Sequence, residues 1–290
     1  MRIDLHTHSD ASDGTDSPAE LIRIAAAAGL DVVALTDHDT TGGWEEAADA
    51  LPAGMTLIRG TEFSTGILTP SGHRVSVHLL GYLFDPLDAE VVLEHQRLFA
   101  ERLHRGLAIV DLMAADGIPI TRDQVLAFAA GAPVGRPHIG RALVAAGVVS
   151  SVNEAFEHYL AGSSGYYVPK VDTDLTAAIR MIAAAGGVSV VAHSRSRSAA
   201  RVLTVDRLAE LADLGLDGIE VDHPDHSASA RMELAGVADD LGLIRTGSSD
   251  YHGTNKTIRI GAETTAPDQL AQLVDRATGI PVLGPSGILG

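Results

Sequence analysis

The sequence predicts an α/β barrel: about seven strands alternating with helices in a parallel sheet, closed or nearly so, interrupted by a helical insertion. Three observations predict it. Short apolar runs alternate with capped, helix-forming stretches through residue 87 and again after residue 172. Between them the strand signal is lost and only helical periodicity remains. Finally, His, Asp and Glu residues fall where apolar runs give out, and in a βα barrel those C-terminal strand ends share the face on which active sites form.

Taken in order, Asp4-Leu5-His6-Thr7-His8 reads as a short first strand, followed by a Ser/Asp/Gly turn holding Asp13 and Gly14. Ser17-Pro18-Ala19-Glu20 is a capping box with proline at the first helical position, predicting a helix over Pro18–Ala28 that stops at Gly29. The run 31–35 predicts a strand ending at Thr36-Asp37-His38-Asp39, and 43–51 a short helix. The run 55–60 predicts a strand that ends at Glu62, and 74–82 another with His78 inside it. Helices are expected over about 88–116, after the Thr121-Arg122-Asp123-Gln124 cap, near 137–146 and near 153–161, closed by a loop over 162–172. The alternation resumes with a helix over 174–185 and a strand over 187–193. Helices near 206–214 and 228–241 separate the later strands 216–223 and 243–250, and 267–277 is the last helix. The division expected is a discontinuous barrel, 1–87 and 173–290, with 88–172 as an insertion covering the active site.

Composition narrows the function. The 290 residues carry 21 Lys+Arg against 38 Asp+Glu, a net charge of −17, and a field of that sign repels long nucleic acid. No cysteine is present, which excludes disulfides, thiolate metal sites and a cysteine nucleophile. No apolar run is long enough to span a bilayer and the chain starts directly on a strand, so a cytoplasmic location without membrane or obligate protein partner is expected. With 13 histidines, the chemistry left is a metal centre with oxygen and nitrogen ligands.

His6 and His8, two apart on a strand, project to one side, and two converging imidazoles make a poor core but a good start to a metal site. His38, Glu62, His193, His223 and Asp250 stand at the other strand ends. Such ligands suit Zn, Mn or Fe, and the carboxylates can bridge. Metal ions held together generate a hydroxide near neutral pH and clamp phosphoryl oxygens, so hydrolysis of a phosphate ester is the reaction this set supports most directly. Blander readings compete: polar strand ends capping the barrel, Asp13 as a turn former with Gly14, His38 as a helix-capping region, His78 as a satisfied core residue.

The motifs Asp4-Leu5-His6-Thr7-His8-Ser9, Ser12-Asp13-Gly14, Leu35-Thr36-Asp37-His38-Asp39, Gly60-Thr61-Glu62, His78-Leu79-Leu80-Gly81-Tyr82, Ala192-His193 and Gly247-Ser248-Ser249-Asp250-Tyr251-His252-Gly253 resemble, in order, those of the polymerase-and-histidinol-phosphatase (PHP) family. Gly135-Arg136-Pro137-His138-Ile139-Gly140 and Tyr166-Tyr167-Val168-Pro169-Lys170 resemble the branch with nucleoside 3′,5′-bisphosphate phosphatase and 5′→3′ exoribonuclease activities. The resemblance implies a distorted (β/α)7 barrel and three divalent ions, Mn first and Fe or Zn as alternatives. One ion would take His6, His8, Glu62 and Asp250; a second would share Glu62 and add His78 and His193; the third would take Asp13, His38 and His252. A metal-bridging hydroxide held by Glu62, His6, His8 and His193 would be the nucleophile.

Candidate substrate contacts are Arg136, Lys170 and Arg195, which offer charge-assisted hydrogen bonds to phosphate, then Arg102 and Arg105, three apart on one helix, then His138 and His223. For the arginine pair a solvated helix face competes; His138 could simply pack, and His223 and His226 are not expected to be primary ligands. After His193 the chain has Ser194-Arg195-Ser196-Arg197 where many relatives have proline, which alters the loop beside the leaving group. The expected substrate is a small nucleotide or short oligoribonucleotide; the alternatives are a histidinol-phosphate-type or general phosphomonoesterase, a non-catalytic metal-binding module and, less favoured, an amidohydrolase.

Overall fold

A computed structural model describes residues 1–195 and 199–285, so Ser196 and Arg197 of the loop noted above lie outside the described residues. The strands are β1 (Ile3–Asp4), β2 (Val32–Leu35), β3 (Thr56–Leu68), β4 (Arg74–Tyr82), β5 (Thr173–Asp174), β6 (Val188–Val191), β7 (Gly218–Asp222) and β8 (Ile244–Gly247). The helices are α1 (Pro18–Ala27), α2 (Trp44–Asp49), α3 (Ala89–Ala115), α4 (Arg122–Ala129), α5 (Arg136–Ala145), α6 (Val152–Ala155), α7 (Leu175–Ala184), α8 (Val205–Asp213), α9 (Ala228–Leu241) and α10 (Pro267–Arg276).

Local signals place most of these elements. In α1 the capping box forms as the sequence predicts: Ser17 Oγ accepts from Glu20 N at 3.2 Å and Glu20 Oε2 from Ser17 N at 3.0 Å. Thr121 and Gln124 repeat the arrangement at α4. Gly29 follows α1 at φ 74°, the left-handed value at which glycine avoids a Cβ clash. The helix expected near 153–161 is the short α6 continued by a π-helical turn over Phe156–Leu160.

Seven strands lie side by side in the order β1-β2-β3-β4-β6-β7-β8, while β5 pairs with β3 off that path. A parallel bridge between Thr7 and Tyr251 joins the two ends beyond β1 and β8, so the sheet is nearly closed. The pairing corrects the expectation of a purely parallel sheet: β4 runs antiparallel to both β3 and β6. A tight turn at Thr69–Gly72 connects β3 and β4 directly, and a hairpin reverses direction. A second correction concerns β3, which does not end at Glu62 but continues through it to Leu68.

Alternation along the strands separates two apolar layers. Ile3, Leu5, Val32, Ala34, Ile58, Val188, Val190 and Ile244 fill the barrel interior together with Tyr82. Val33, Leu35, Leu57, Phe63, Val191 and Ile219 face outward against Leu21, Ile22, Ile179, Ile182, Leu208 and Leu234 of the surrounding helices. Each fully buried Leu or Ile here contributes roughly 1.5–3 kcal/mol. A third cluster, including Ile109, Met113, Val125, Ile139, Leu143 and Leu160, lies among α3, α4, α5 and the turn after α6. The glycine- and proline-rich tail contributes one bridge, Leu57 to Leu283. Among the described residues no helix is long and apolar enough to cross a membrane.

Candidate metal centre

The strands deliver their polar ends to one place. His6 and His8 follow β1, His38 follows β2, His193 follows β6, His223 follows β7, and Asp250 and His252 follow β8. Glu62 enters from within β3, where it bridges to His38. In the β3–β4 register Ser64 faces His78 and Glu62 faces Leu80, which puts Glu62 and His78 on one face, two residues out of register. Because β4 runs the other way, His78, in the middle of that strand, lies level with the C-terminal end of β6, at the same end of the barrel as the parallel strands' late residues.

Three groups of donor atoms result. Nε2 of His6 and Nε2 of His8 lie 3.0 Å apart, each 3.1 Å from Glu62 Oε2 and 3.5 Å from Asp250 Oδ1. The other oxygen of Glu62, Oε1, lies 2.7 Å from His78 Nδ1 and 3.0 Å from His193 Nε2. Around Asp13, His252 Nε2 stands at 3.4 Å, His38 Nε2 at 3.7 Å and His8 Nδ1 at 3.9 Å. Ligands of one ion about 2.0–2.2 Å from it sit about 3.0–3.5 Å from each other, and the His6–His8–Glu62–Asp250 edges match. His8 Nδ1, Asp13 Oδ1 and His38 Nδ1 are buried with no hydrogen-bond partner. Such orphaned atoms are expensive in a protein interior, and ligation by a cation would satisfy them. The residues present therefore fit divalent metal ions.

Electrostatics agree. Burial opposes ionisation of Asp13, but His38 and His252 outweigh it and hold the carboxyl well below its ordinary range. Burial likewise opposes ionisation of Glu62 and Asp250, yet His78 and His38 hold the first low, Lys256 and His252 the second. Burial would lower His8, but hydrogen bonding to Asp250 and Glu62 raises it to about 9. The cluster thus draws positive charge inward, and a bound cation releases such protons as it takes their place.

Outside the donor groups a ring of buried acids fixes them. Glu220 Oε1 lies 3.2 Å from His6 Nδ1, which sets the orientation of that imidazole, and Oε2 accepts from the backbone N–H of His193 at 2.7 Å, which fixes the main chain there. Burial raises the Glu220 carboxyl, but His223 and His6 outweigh it and bring it down to about 2. Asp37 accepts from Ser9 N, Ser9 Oγ and Ser12 Oγ at 2.8, 2.6 and 2.6 Å, tying down the loop that carries Asp13. Asp4 accepts from Ser249 N, Ser249 Oγ and Gly261 N, which anchors the segment before Asp250. Sequence reasoning missed these three acids as functional. The signal was there: each is a carboxylate in or beside an apolar strand, where an unpaired charge does not survive. His193 at φ 29° and Asp250 at φ 53° sit in the left-handed region, strain kept at donor positions and held by these anchors.

The expected phosphate contacts are engaged within the protein. Arg102 is buried on Asp39, with Nη2 donating to Ser64 Oγ at 2.8 Å. Arg105 Nε donates to Val168 O, and its guanidinium lies over the Tyr167 ring. Arg136 Nη1 donates to Leu160 O, Lys170 pairs with Asp172 at 2.8 Å, and Arg195 donates to Leu203 O and Glu233 Oε1. His138 Nδ1 accepts from Gly135 N at the start of α5. His223 lies beside the donor groups, its Nε2 buried without a hydrogen bond and 3.5 Å from Asp250 Oδ2.

Removal of divalent ions should lower the melting temperature, because the buried carboxylates lose their counter-charge. One site saturated at 100 times its Kd adds about 2.7 kcal/mol to stability. Thermal melts with excess Mn²⁺ and with excess chelator measure the difference; superimposable melts would refute a metal role for these acids.

A barrel whose strand ends gather imidazoles and a two-sided carboxylate is a scaffold for metal-dependent hydrolysis. Residues 4–109 match the PHP domain. The chain is 33% identical over 270 residues to a 5′-3′ exoribonuclease of Haemophilus influenzae, covering 93% of this chain and 96% of that protein. It is also 33% identical over 252 residues to a 3′,5′-nucleoside bisphosphate phosphatase of Chromobacterium violaceum, covering 86% and 87%. A crystal structure assigned as a metal-dependent phosphoesterase of Bifidobacterium adolescentis superposes with a TM-score of 0.88 at 36% identity, over 95% of this chain and 96% of that one. The chain belongs to the PHP family and is a metal-dependent phosphoesterase.

Proposed function

We propose that this enzyme hydrolyses phosphate esters of small nucleotides or short oligoribonucleotides, acting in the cytoplasm as a 3′,5′-bisphosphonucleoside phosphatase, a 5′→3′ exoribonuclease, or both. The observation that carries the reading is Glu62, whose two oxygens face different groups of imidazoles. We assign three divalent ions, preferentially Mn²⁺: one to His6, His8, Glu62 and Asp250, one to Glu62, His78 and His193, and one to Asp13, His38 and His252; His8 also stands close enough to join the third group, and His38 the second. Bound there, such ions supply Lewis acidity toward phosphoryl oxygens and an activated water.

The chain's own residues do the rest. Glu220 and Asp37 keep the donors oriented, as their hydrogen bonds indicate. Segment 88–172, read as an insertion over the site, brings Arg102, Arg105, Arg136 and Lys170, and its separate apolar cluster supports treating it as a unit. Burial and then neighbouring Arg102 push Lys170 down to about 8, against the opposing pull of Asp39 and Asp172. The net charge of −17 favours a short polyanion over a long one. The exoribonuclease and nucleoside bisphosphate phosphatase among the relatives support the same substrates.

Steady-state assays with adenosine 3′,5′-bisphosphate, 5′-phosphorylated oligoribonucleotides and histidinol phosphate test the reading. Higher kcat/KM on one of the first two is expected. Preference for the simple monoester would overturn the nucleotide assignment and leave the phosphoesterase class standing.

A further inference from the structure

The geometry points to Lys256 as a positioning residue that commits one oxygen of Asp250 to the metal centre by holding the other. This rests on the proposed role of Asp250 as a metal ligand. The two oxygens of Asp250 face different partners. Oδ1 lies 3.5 Å from both His6 Nε2 and His8 Nε2 and 3.4 Å from His252 Nδ1. Oδ2 carries the Lys256 ammonium and faces His223 Nε2 at 3.5 Å. The backbone at Asp250 (φ 53°) does not choose which oxygen faces the histidines, because the carboxylate turns about its own broad side-chain torsion. A fixed cation on Oδ2 sets it instead, leaving Oδ1 as the oxygen offered to the donor group.

The segment holding Lys256 is built for this placement. After His252 the chain makes a 3₁₀ turn over Gly253–Asn255 that docks on the loop carrying Asp13. Asn255 Nδ2 donates to Asp13 O at 2.7 Å, and Thr254 N donates to Thr15 Oγ1 at 2.8 Å. Gly253 sits at φ 63°, and a Cβ there would lie 1.9 Å from Thr15 Oγ1, so only glycine permits the approach. The turn therefore returns the chain to the metal centre six residues after Asp250. The Lys256 side chain is 35% exposed while Asp250 is 7% exposed, so the ammonium stands at the boundary between the donors and solvent.

Two roles for a cation at this position differ in sign. As a mere counter-charge it would repel a divalent ion, and its removal would tighten metal binding. As an orienting partner of a ligand its removal loosens binding, in line with the about 10- to 100-fold losses typical when groups that support metal ligands are lost. Calorimetric titration of the metal-free full-length protein with Mn²⁺, with metal content measured in parallel, separates them. Lys256→Met is expected to weaken Mn²⁺ binding at one site by about 10- to 100-fold, while Lys256→Arg stays within a few-fold of the wild type. Should Lys256→Met not fold, Lys256→Gln makes the same comparison. Unchanged or tighter binding in the neutral variant, or a Lys256→Arg protein as weak as it, would overturn the proposal. Asp250→Asn is the separate check on the ligand assignment: if it binds as many ions as the wild type, the assignment fails. If it loses an ion while the neutral Lys256 variants do not, only the positioning role fails.

Discussion

Glu62→Ala is expected to lower kcat/KM for a nucleotide substrate by on the order of 10³-fold or more, with little loss of the fold. Metal-assisted stabilisation of transition-state charge amounts to several kcal/mol, and each 1.36 kcal/mol is about a factor of ten in rate. Glu62 is the side chain where two donor groups meet: Oε2 with His6 and His8, Oε1 with His78 and His193. Alanine deletes the shared contact of both groups while leaving the remaining imidazoles in place. Kinetics at saturating Mn²⁺, with metal content determined on the same sample, measure the effect. Near-normal turnover would dismiss the bridging role.

The residues that sequence reasoning placed best are those whose position is local. The donors beyond β1, β2, β6 and β8 follow directly on apolar runs, so strand-end logic reaches them. Glu62 and His78 obey a different rule. Thr61, Glu62, Ser64 and Thr65 are polar enough to read as a loop, yet β3 continues because each hydroxyl finds an acceptor. Thr61 Oγ1 donates to Thr40 O at 2.9 Å, Ser64 Oγ to Asp39 Oδ2 at 2.7 Å and Thr65 Oγ1 to Val77 O at 2.6 Å. Those partners come from other elements, and no window of sequence contains them. The antiparallel β4 is a different case: pairing direction is fixed by the hairpin rather than by strand propensity, and the turn that makes it, Thr69-Pro70-Ser71-Gly72, is a local signal that strand-by-strand reading passed over.

Pairs between distant residues were the least legible part. Glu220 with His6, Asp4 with Ser249 and Lys256 with Asp250 each involve a residue whose type alone suggests a solvated charge. Only Lys256 is close in sequence to its partner, and the six-residue separation matches neither a helix nor a strand. The close approach at Gly253 that makes the contact possible is a tertiary fact.

Arg102 shows how such a pair changes an expectation, and it carries the largest predicted effect on stability. The sequence offered it as a phosphate contact; the structure places it on Asp39, with both side chains almost wholly removed from solvent. Asp39 also accepts from Ser64 N at 2.6 Å and Ser64 Oγ at 2.7 Å, so the ion pair lies within a complete polar network joining α3 to the barrel. Breaking a buried pair from one side leaves an uncompensated charge, so Arg102→Met should lower unfolding free energy by about 3–5 kcal/mol. The pH dependence identifies the cause. Burial opposes ionisation of Asp39, but Arg102 and then Lys170 outweigh it and depress the carboxyl. In the wild type this stability is therefore present above the unfolded carboxyl's pKa, about 3.9, and is lost as pH falls toward the lower folded value. In Arg102→Met the loss of that partner leaves burial to push Asp39 upward, so ionising it disfavours the fold as pH rises. The deficit between the two proteins should be greatest near pH 7 and shrink on acidification toward pH 4. Denaturant unfolding at the two pH values measures it. A deficit that is independent of pH would show that Arg102 acts through packing of its stem, and no deficit at all would return it to the role of a free phosphate ligand.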